Sequence, residues 1–340
     1  MDSEPPTYIE PSTPSITHRN AVPVDAIVRV PPPDLAALVA RASTYAKTSR
    51  APNTVLAYAA DLRTFKTWAD ERLLPDLPTS EEVVVCYVAW MADAGRKVST
   101  IQRALSAIFG VHKALGHAVP KGPRLEETLE GIRRQVGVAP TQKAPVLADD
   151  LRKMIDKITG DSLIDARDRL MLVLGWTGAF RRSEIVALHV GDVVKVRGGL
   201  EVSLRRSKTD QTGAGRTVAI PRASDETYDA TALLAAWLSA SGLTEGPLFR
   251  AVNRHGYFST DGLVPRAVAR VVKARAEAAG LNPDIFSGHS LRAGLVTEAA
   301  ESGKTDISIR RITGHSSSAT LQRYIRSSDI WRDCASKGLL

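Results

Sequence analysis

The feature that most restricts the fold of this chain is one segment, residues 192–221, that interrupts an otherwise helical sequence. The segment reads DVVKVRGGLEVSLRRSKTDQTGAGRTVAIP, and glycines at 198, 199, 213 and 215 separate its β-branched residues. β-Branched residues favour strands, and glycines favour the turns between strands. We therefore expect a small three-stranded antiparallel sheet within a fold that is mainly α-helical.

Helical periodicity precedes this segment in two stretches that are separated by a linker. In residues 34–136, apolar residues recur at spacings of three and four, and helices are expected at 83–91, 100–112 and 125–134. The sequence GVAPTQKA at 137–144 loses this pattern and gains Pro and Lys, which marks a linker. The pattern resumes with helices at 149–158 and 166–176 and a third that begins at Arg182. The stretch before the linker therefore predicts an all-helical domain.

Helices are also expected after the sheet, at 227–241 and 263–279, after Ser287, at 307–312 and around Tyr324. Residues 1–32 are rich in proline and poor in large apolar side chains, which predicts a flexible tail. The expected organisation is thus a tail at 1–32, a helical domain at 33–138 and an α+β domain at 139–340. A length of 340 residues agrees with two domains.

The net charge of +8, from 45 Lys and Arg against 37 Asp and Glu, favours a polyanionic partner such as nucleic acid. Charge alone does not separate this interpretation from a basic solvated surface. Cys86 and Cys334 lie far apart without a CxxC spacing, so neither a disulfide framework nor a zinc cluster is indicated. The first residues lack the pattern of a signal peptide, and no apolar run reaches the length of a membrane span. We therefore expect a cytoplasmic protein that does not enter the membrane.

Two short motifs place Arg and acid–base residues three positions apart. In TGAFRRSEIVAL, Arg181 and Glu184 can share one face of a helix, as an ordinary ion pair also would. In FSGHSLRAG, His289 and Arg292 follow Gly288 at an expected helix start, where free N–H groups attract phosphate. A surface His and Arg would equally account for this second motif.

Two further positions carry chemistry only if the fold brings them to these motifs. His315 follows a glycine in ITGHSSSATLQRYIR, and Tyr324 comes nine positions later beside polar and basic neighbours. A tyrosine on a helix is most often part of a core, although this polar setting favours an exposed hydroxyl. Lys208 lies in the expected loop between two strands, where a lysine is usually solvated.

Taken together, these motifs resemble the catalytic signature of the tyrosine recombinases, the phage integrase family. The shared order is R-x-x-E, a lysine in a β-hairpin, H-x-L-R, G-H and a tyrosine nine residues on. The resemblance covers about residues 34–330, and NTVLAYAADLRTFKTW is similar to the start of the family's helical, SAM-like core-binding domain. It implies that residues 139–340 form the catalytic domain, in a simple two-domain recombinase.

The resemblance also implies a role for each motif residue. Tyr324 would be the nucleophile, Lys208 the general acid and His289 the proton acceptor, with Glu184 holding an arginine in place. The expected clamp on the phosphate consists of Arg181, Arg292, His289 and His315. Because Arg182 adjoins Arg181, the choice between them rests on the offset to Glu184, and Phe180 is bulkier than the aliphatic residue of many relatives.

The implied activity is site-specific recombination through a 3′-phosphotyrosine and a Holliday junction, without a metal, ATP or another cofactor. The expected partners are double-stranded DNA with an inverted-repeat site and three further copies of the chain. Whether accessory proteins take part is left open by the sequence. A terminal segment with Trp331, Leu339 and Leu340 would dock on the neighbouring subunit or pack on its own domain. Alternative functions are a type IB topoisomerase, a telomere-resolving enzyme and a catalytically silent DNA-binding regulator.

Candidate DNA contacts come from two basic helices. The first opens with GRKVSTIQRALS and offers Arg96, Lys97, Gln102 and Arg103, a mixture suited to phosphates and base edges. The second follows Gly262 and offers Arg266, Arg270, Lys273 and Arg275. For each of these residues, a solvated surface charge is the alternative.

Overall fold

The fold was analysed in a computed structural model, which describes residues 35–48, 51–137, 143–205, 215–253 and 255–314. The chain divides into two compact units, Met1–Val138 and Ala139–Leu340. Within the described residues the first unit is all-helical and the second combines helices with small antiparallel sheets. The predicted fold class is therefore confirmed.

The first unit contains five described helices. They are α1 Leu35–Thr48, α2 Pro52–Asp70, α3 Glu81–Asp93, α4 Val98–Ala114 and α5 Pro123–Val136. Local sequence sets several of their starts, because proline occupies the first turn of α2 and of α5 and the Ser80 hydroxyl accepts the Val83 N–H at the start of α3. An aromatic cluster of Phe65, Trp68, Tyr87 and Trp90 joins α2 to α3 in the core.

The second unit begins with three helices and a sheet. These are α6 Ala148–Asp156, α7 Leu163–Thr177, α8 Arg182–Ala187, β1 Val193–Val196, β2 Gly199–Leu204 and β3 Arg216–Pro221. The strands pair antiparallel in the order β1, β2, β3, with Val202 opposite both Val193 and Val218. Alternate side chains of β2 and β3 enter the core, as the β-branched pattern predicts. Gly199 has a φ of +147° and lies against the Ile220 carbonyl, where a side chain would not fit.

The remaining elements are α9 Ala230–Ser241, β4 Arg250–Val252, β5 Phe258–Gly262, α10 Pro265–Ala278, α11 Ser290–Glu301 and α12 Asp306–Thr313. The pair β4 and β5 was not predicted, because its sequence is short, largely polar and ends in Asp and Gly, which are depleted in strands. The predicted helix at 227–241 starts instead at Ala230, because the Asp229 carboxylate accepts the Thr231 N–H as an N-cap. The helix after Ser287 is three turns long.

Candidate active site

The turn between α7 and α8 positions the first arginine of the candidate site. Ala179 in this turn is fully buried and has a φ of +48°, a left-handed conformation that is uncommon for a residue other than glycine. Arg181 follows as the N-cap of α8, and its backbone N–H donates to Glu184 Oε2 at 2.8 Å. Its guanidinium Nη1 donates to Glu184 Oε1 at 2.6 Å. One carboxylate therefore caps the helix and fixes the guanidinium.

Burial fixes the geometry of this pair more closely than that of a surface ion pair. The side chain of Glu184 is 1% exposed and that of Arg181 is 15% exposed. Water competes little for a hydrogen bond at such a site, so the charged groups hold a defined geometry. The neighbouring Arg182 is exposed and lies over Gly288, so the structure gives Arg181, not Arg182, the contact with Glu184.

Arg292, on α11, is buried at 1% exposure and links two other parts of the site. Its Nη1 donates to the Ala179 carbonyl at 2.7 Å, and its Nη2 donates to the Thr313 carbonyl at 2.8 Å. The first bond holds Arg292 against the turn that leads into Arg181. The second holds the C-terminal end of α12, where the helix dipole favours a cation. The fold thus brings the R-x-x-E and H-x-L-R motifs together.

His289 lies one turn before Arg292 and is the N-cap residue of α11. Its backbone N–H donates to the Ser287 hydroxyl at 3.2 Å, and its carbonyl accepts the Ala293 N–H at 3.0 Å. The residue as a whole is exposed, in contrast to Arg292. A side chain at this position is reachable by a large ligand.

Arg216 is a site residue that the sequence analysis missed. It is the first residue of β3, and its Nη2 lies 3.4 Å from Glu184 Oε2, while its Nη1 donates to the Ile312 carbonyl. Burial is the main cause that lowers the pKa of Arg216, and the charge of Arg181 lowers it further while Glu184 opposes both. A single arginine at the end of an expected hairpin loop gave no signal in the sequence that would single it out.

Three predicted site residues, Lys208, His315 and Tyr324, lie outside the described residues. Their chain neighbours are described. The connection that carries Lys208 leaves β2 at Leu204 and enters β3 at Arg216. His315 directly follows Gly314, which ends α12 with a φ of +65°.

The predicted DNA contacts fall into two groups. Exposed residues are Arg96, Lys97 and Gln102 around the start of α4, and Arg266 and Arg270 one turn apart on α10. Arg103 is also exposed, but it binds Asp61 through two hydrogen bonds, Nε to Oδ2 at 2.8 Å and Nη2 to Oδ1 at 2.9 Å.

Two more basic residues of α10 prove to be engaged in ion pairs. Arg275, 18% exposed, binds Asp165 and Asp168, and Lys273 binds Asp284. Arg275 was a candidate DNA contact with a solvated surface charge as the alternative, and its guanidinium instead ties α10 to α7. Among the described residues, no cluster of three or more His, Cys, Asp or Glu side chains has the arrangement of a metal site. None of the described helices is both long and apolar enough to cross a bilayer.

Comparison with known proteins gives matches for both units. Residues 146–330 match the Phage integrase family, and residues 45–118 match the Phage integrase, N-terminal SAM-like domain. An integrase/recombinase XerD homologue of Selenomonas ruminantium is 35% identical over 291 residues, which cover 84% of this chain and 85% of that protein. A tyrosine recombinase of Synechococcus elongatus is 31% identical over 288 residues, which cover 81% and 85% of the two chains.

A solved structure shares the fold. The XerH site-specific recombinase, in a post-cleavage complex with a palindromic difH substrate, superposes with a TM-score of 0.63 at 19% identity, over 83% of this chain and 79% of that one. The family match over the second unit and the identity to the two relatives are stronger evidence of family membership than the shared fold, because they rest on the sequence itself. This chain therefore belongs to the phage integrase family, the tyrosine recombinases, whose members cleave and rejoin DNA.

Proposed function

We propose that this chain is a site-specific recombinase that cleaves DNA with Tyr324 and forms a 3′-phosphotyrosine intermediate. The observation that carries the proposal is the pair of bonds that hold Arg292 against the turn leading into Arg181 and against the end of α12. Two guanidinium groups from distant parts of the sequence are thereby set into one rigid frame. Such a frame suits a phosphodiester, whose non-bridging oxygens accept hydrogen bonds from arginine.

The arginines supply the electrostatic part of catalysis. In-line attack on a phosphodiester gives a five-coordinate state with additional negative charge on the non-bridging oxygens. Arg181 and Arg292, with His289 and His315 as further donors, stabilise this charge. Fixed donors of this kind each contribute about 3 kcal/mol to lowering a barrier.

The remaining residues handle the protons. The Tyr324 oxygen forms a bond to phosphorus and loses its proton to His289, while the bond from phosphorus to the 5′ oxygen breaks and Lys208 protonates the departing oxygen. The phosphotyrosine conserves the energy of the phosphodiester. A 5′ hydroxyl from a second strand can therefore attack it and release Tyr324, and neither ATP nor a metal is required for this exchange.

We further propose that four copies act together on two inverted-repeat sites through a Holliday junction. A groove of about 370 Å³ between α11 and α12 supports this assembly, with a lining that includes Trp176, Leu295, Ala299, Ile309 and Ile312. Its apolar lining suits the terminal segment of a neighbouring copy, which offers Trp331, Leu339 and Leu340. The palindromic substrate of the XerH structure supports an inverted repeat.

The first unit is the proposed core-binding domain, 33–138, and the second is the proposed catalytic domain, 139–340. Arg96, Lys97 and Gln102 would contact DNA from the first, and Arg266 and Arg270 from the second. Exposure of all five residues supports these roles, whereas Arg103 is better suited to holding Asp61. An enzyme of this kind would act at the nucleoid, on a chromosome or a mobile element.

Covalent trapping tests the proposal. The protein is incubated in EDTA with fragmented DNA of its own replicon, complexes are denatured, and the attached ends are sequenced. Adducts at one inverted-repeat site are expected with the wild type and none with Tyr324→Phe, which should still bind DNA. Binding without adduct in the wild type would point to a silent regulator. Adducts with relaxation of a single duplex, but no exchange between two, would point to a topoisomerase.

A further inference from the structure

Arg216 occupies a position that joins two parts of the candidate site, α8 and the end of α12. Its Nη2 approaches Glu184, the partner of Arg181, and its Nη1 donates to the Ile312 carbonyl at the end of α12. It also begins the strand that follows the connection carrying Lys208. Arg216 therefore touches both α8 and the end of α12.

The charge balance around Glu184 is the second observation. One carboxylate, 1% exposed, faces two guanidinium groups that are 15% and 19% exposed. The trio therefore carries an excess positive charge in a place with little water to screen it. Such an excess costs stability unless an anion neutralises it, so the trio is best suited to a state in which a phosphate is bound.

The third observation is the close packing of Arg216 against Gly314. A side chain on Gly314 would approach Arg216 Nε to 2.9 Å and its Cζ to 3.1 Å, so the arginine lies directly beneath the backbone of that glycine. Gly314 immediately precedes His315. Among the described residues, Arg216 Nε is also a buried donor without an acceptor, so this atom faces the interior of the unit and not solvent.

We propose that Arg216 is a positioning residue for strand cleavage. It sets the Arg181–Glu184 pair in register with the end of α12, which directly precedes His315 in the sequence, and it anchors the strand that follows the connection carrying Lys208. It acts through these groups and does not itself touch the scissile phosphate. This role rests on the proposed cleavage by Tyr324.

The experiment compares Arg216→Gln and Arg216→Lys with the wild type on the DNA site recovered by covalent trapping. Three quantities are measured: the single-turnover rate of adduct formation, the Kd for the same DNA, and the melting temperature. A misplaced active-site group costs about 100-fold in rate. We expect a loss of about that size in Arg216→Gln, a smaller one in Arg216→Lys, and a Kd within about threefold of the wild type in both.

Arg275→Gln is the matched control, because Arg275 has nearly the same side-chain exposure, 18% against 19%, and also binds carboxylates, those of Asp165 and the buried Asp168 on α7. It should lower the melting temperature at least as much as Arg216→Gln does. The rate of adduct formation by the folded enzyme should stay unchanged. If the two variants lose rate in proportion to their loss of stability, Arg216 is only structural and the inference is wrong. A wild-type rate in Arg216→Lys at native melting temperature would also overturn it.

The wild type separates the two proposals. If it forms no adduct, the proposed function fails before Arg216 is tested. If it forms adducts and Arg216→Gln forms them equally fast, only the positioning role fails.

Discussion

Within the described residues, the second unit of this protein buries more charged side chains than the first. In the first unit the core holds His112, whose Nε2 accepts the Thr79 N–H at 3.0 Å while Nδ1 lies 2.8 Å from the Ile108 carbonyl oxygen. In the same core, the buried polar atoms Trp68 Nε1 and Tyr87 Oη have no hydrogen-bond partner within the described residues. In the second unit the buried polar groups include Glu184 and Arg292, which are charged and bonded.

This difference in buried charge indicates that packing dominates the first core, whereas the second core also positions charged side chains. The first unit is stabilised mainly by apolar and aromatic packing, and its one buried charged group within the described residues, Asp61, is paired with the exposed Arg103. The second unit holds charges in place with backbone carbonyls and a shared carboxylate, at a cost in desolvation. Preorganised charges of this kind are what electrostatic catalysis of phosphoryl transfer requires.

The largest expected effect is the loss of aromatic packing in the first unit. Trp68 is 3% exposed and contacts Phe65, Tyr87 and Trp90. Trp68→Ala should lower the free energy of unfolding of this unit by about 3–5 kcal/mol. Trp68→Phe keeps an aromatic ring and removes the unpaired indole N–H, so it should cost much less. Urea denaturation followed by circular dichroism measures both, and equal losses would contradict a core held by packing.

The next effect is confined to the second unit. Arg292→Lys keeps the charge, but a single ammonium cannot replace a planar guanidinium that reaches the carbonyls of both Ala179 and Thr313. The rate of adduct formation should fall about 100-fold to 1000-fold, or about 3–4 kcal/mol. Single-turnover cleavage of the trapped DNA site measures this rate. A wild-type rate would show that charge alone, without this geometry, is enough.

We expect alkaline pH to destabilise the core of the first unit through the ionisation of Tyr87. Burial, with the nearby Asp61 charge adding to it, raises the pKa of Tyr87 to about 12, whereas a phenol in the unfolded chain ionises near pH 10. Folding therefore favours the neutral phenol. The stability that this contributes is fully present below about pH 10 and is lost as pH rises towards 12.

Tyr87→Phe should remove this alkaline loss, and it should change stability little at neutral pH because the Tyr87 hydroxyl has no partner among the described residues. The free energy of unfolding of the wild type and of Tyr87→Phe, measured by urea denaturation from pH 8 to 12, tests this prediction. An unchanged alkaline loss in Tyr87→Phe would assign the transition to another group.

The sequence predicts elements better than it predicts contacts over long separations. The three-stranded sheet and most helices follow from local patterns, and so does the pairing of Arg181 with Glu184, which are three residues apart. Arg216 and Glu184 are 32 residues apart, and nothing local to Arg216 indicates that it approaches the carboxylate. The partnership of Arg103 with Asp61, over 42 residues, was hidden for the same reason. In each case the fold, not the sequence neighbourhood, supplies the partner.

The smallest expected effects come from substituting basic residues of the first unit, and they indicate which of these residues contact DNA. Arg103 is 48% exposed and its guanidinium binds Asp61, whereas Arg96 lies exposed just before α4. Arg103→Gln should cost about 1 kcal/mol of stability or less, since ion pairs at this exposure contribute little. Arg96→Gln should reduce the slope of log affinity against log salt by about one, the effect of losing one phosphate contact, and Arg103→Gln should leave that slope unchanged. Fluorescence anisotropy on a DNA duplex between low and moderate salt measures both slopes. If Arg103→Gln reduces the slope as much as Arg96→Gln, Arg103 gives up Asp61 for phosphate on binding, and the ion pair belongs to the free protein alone.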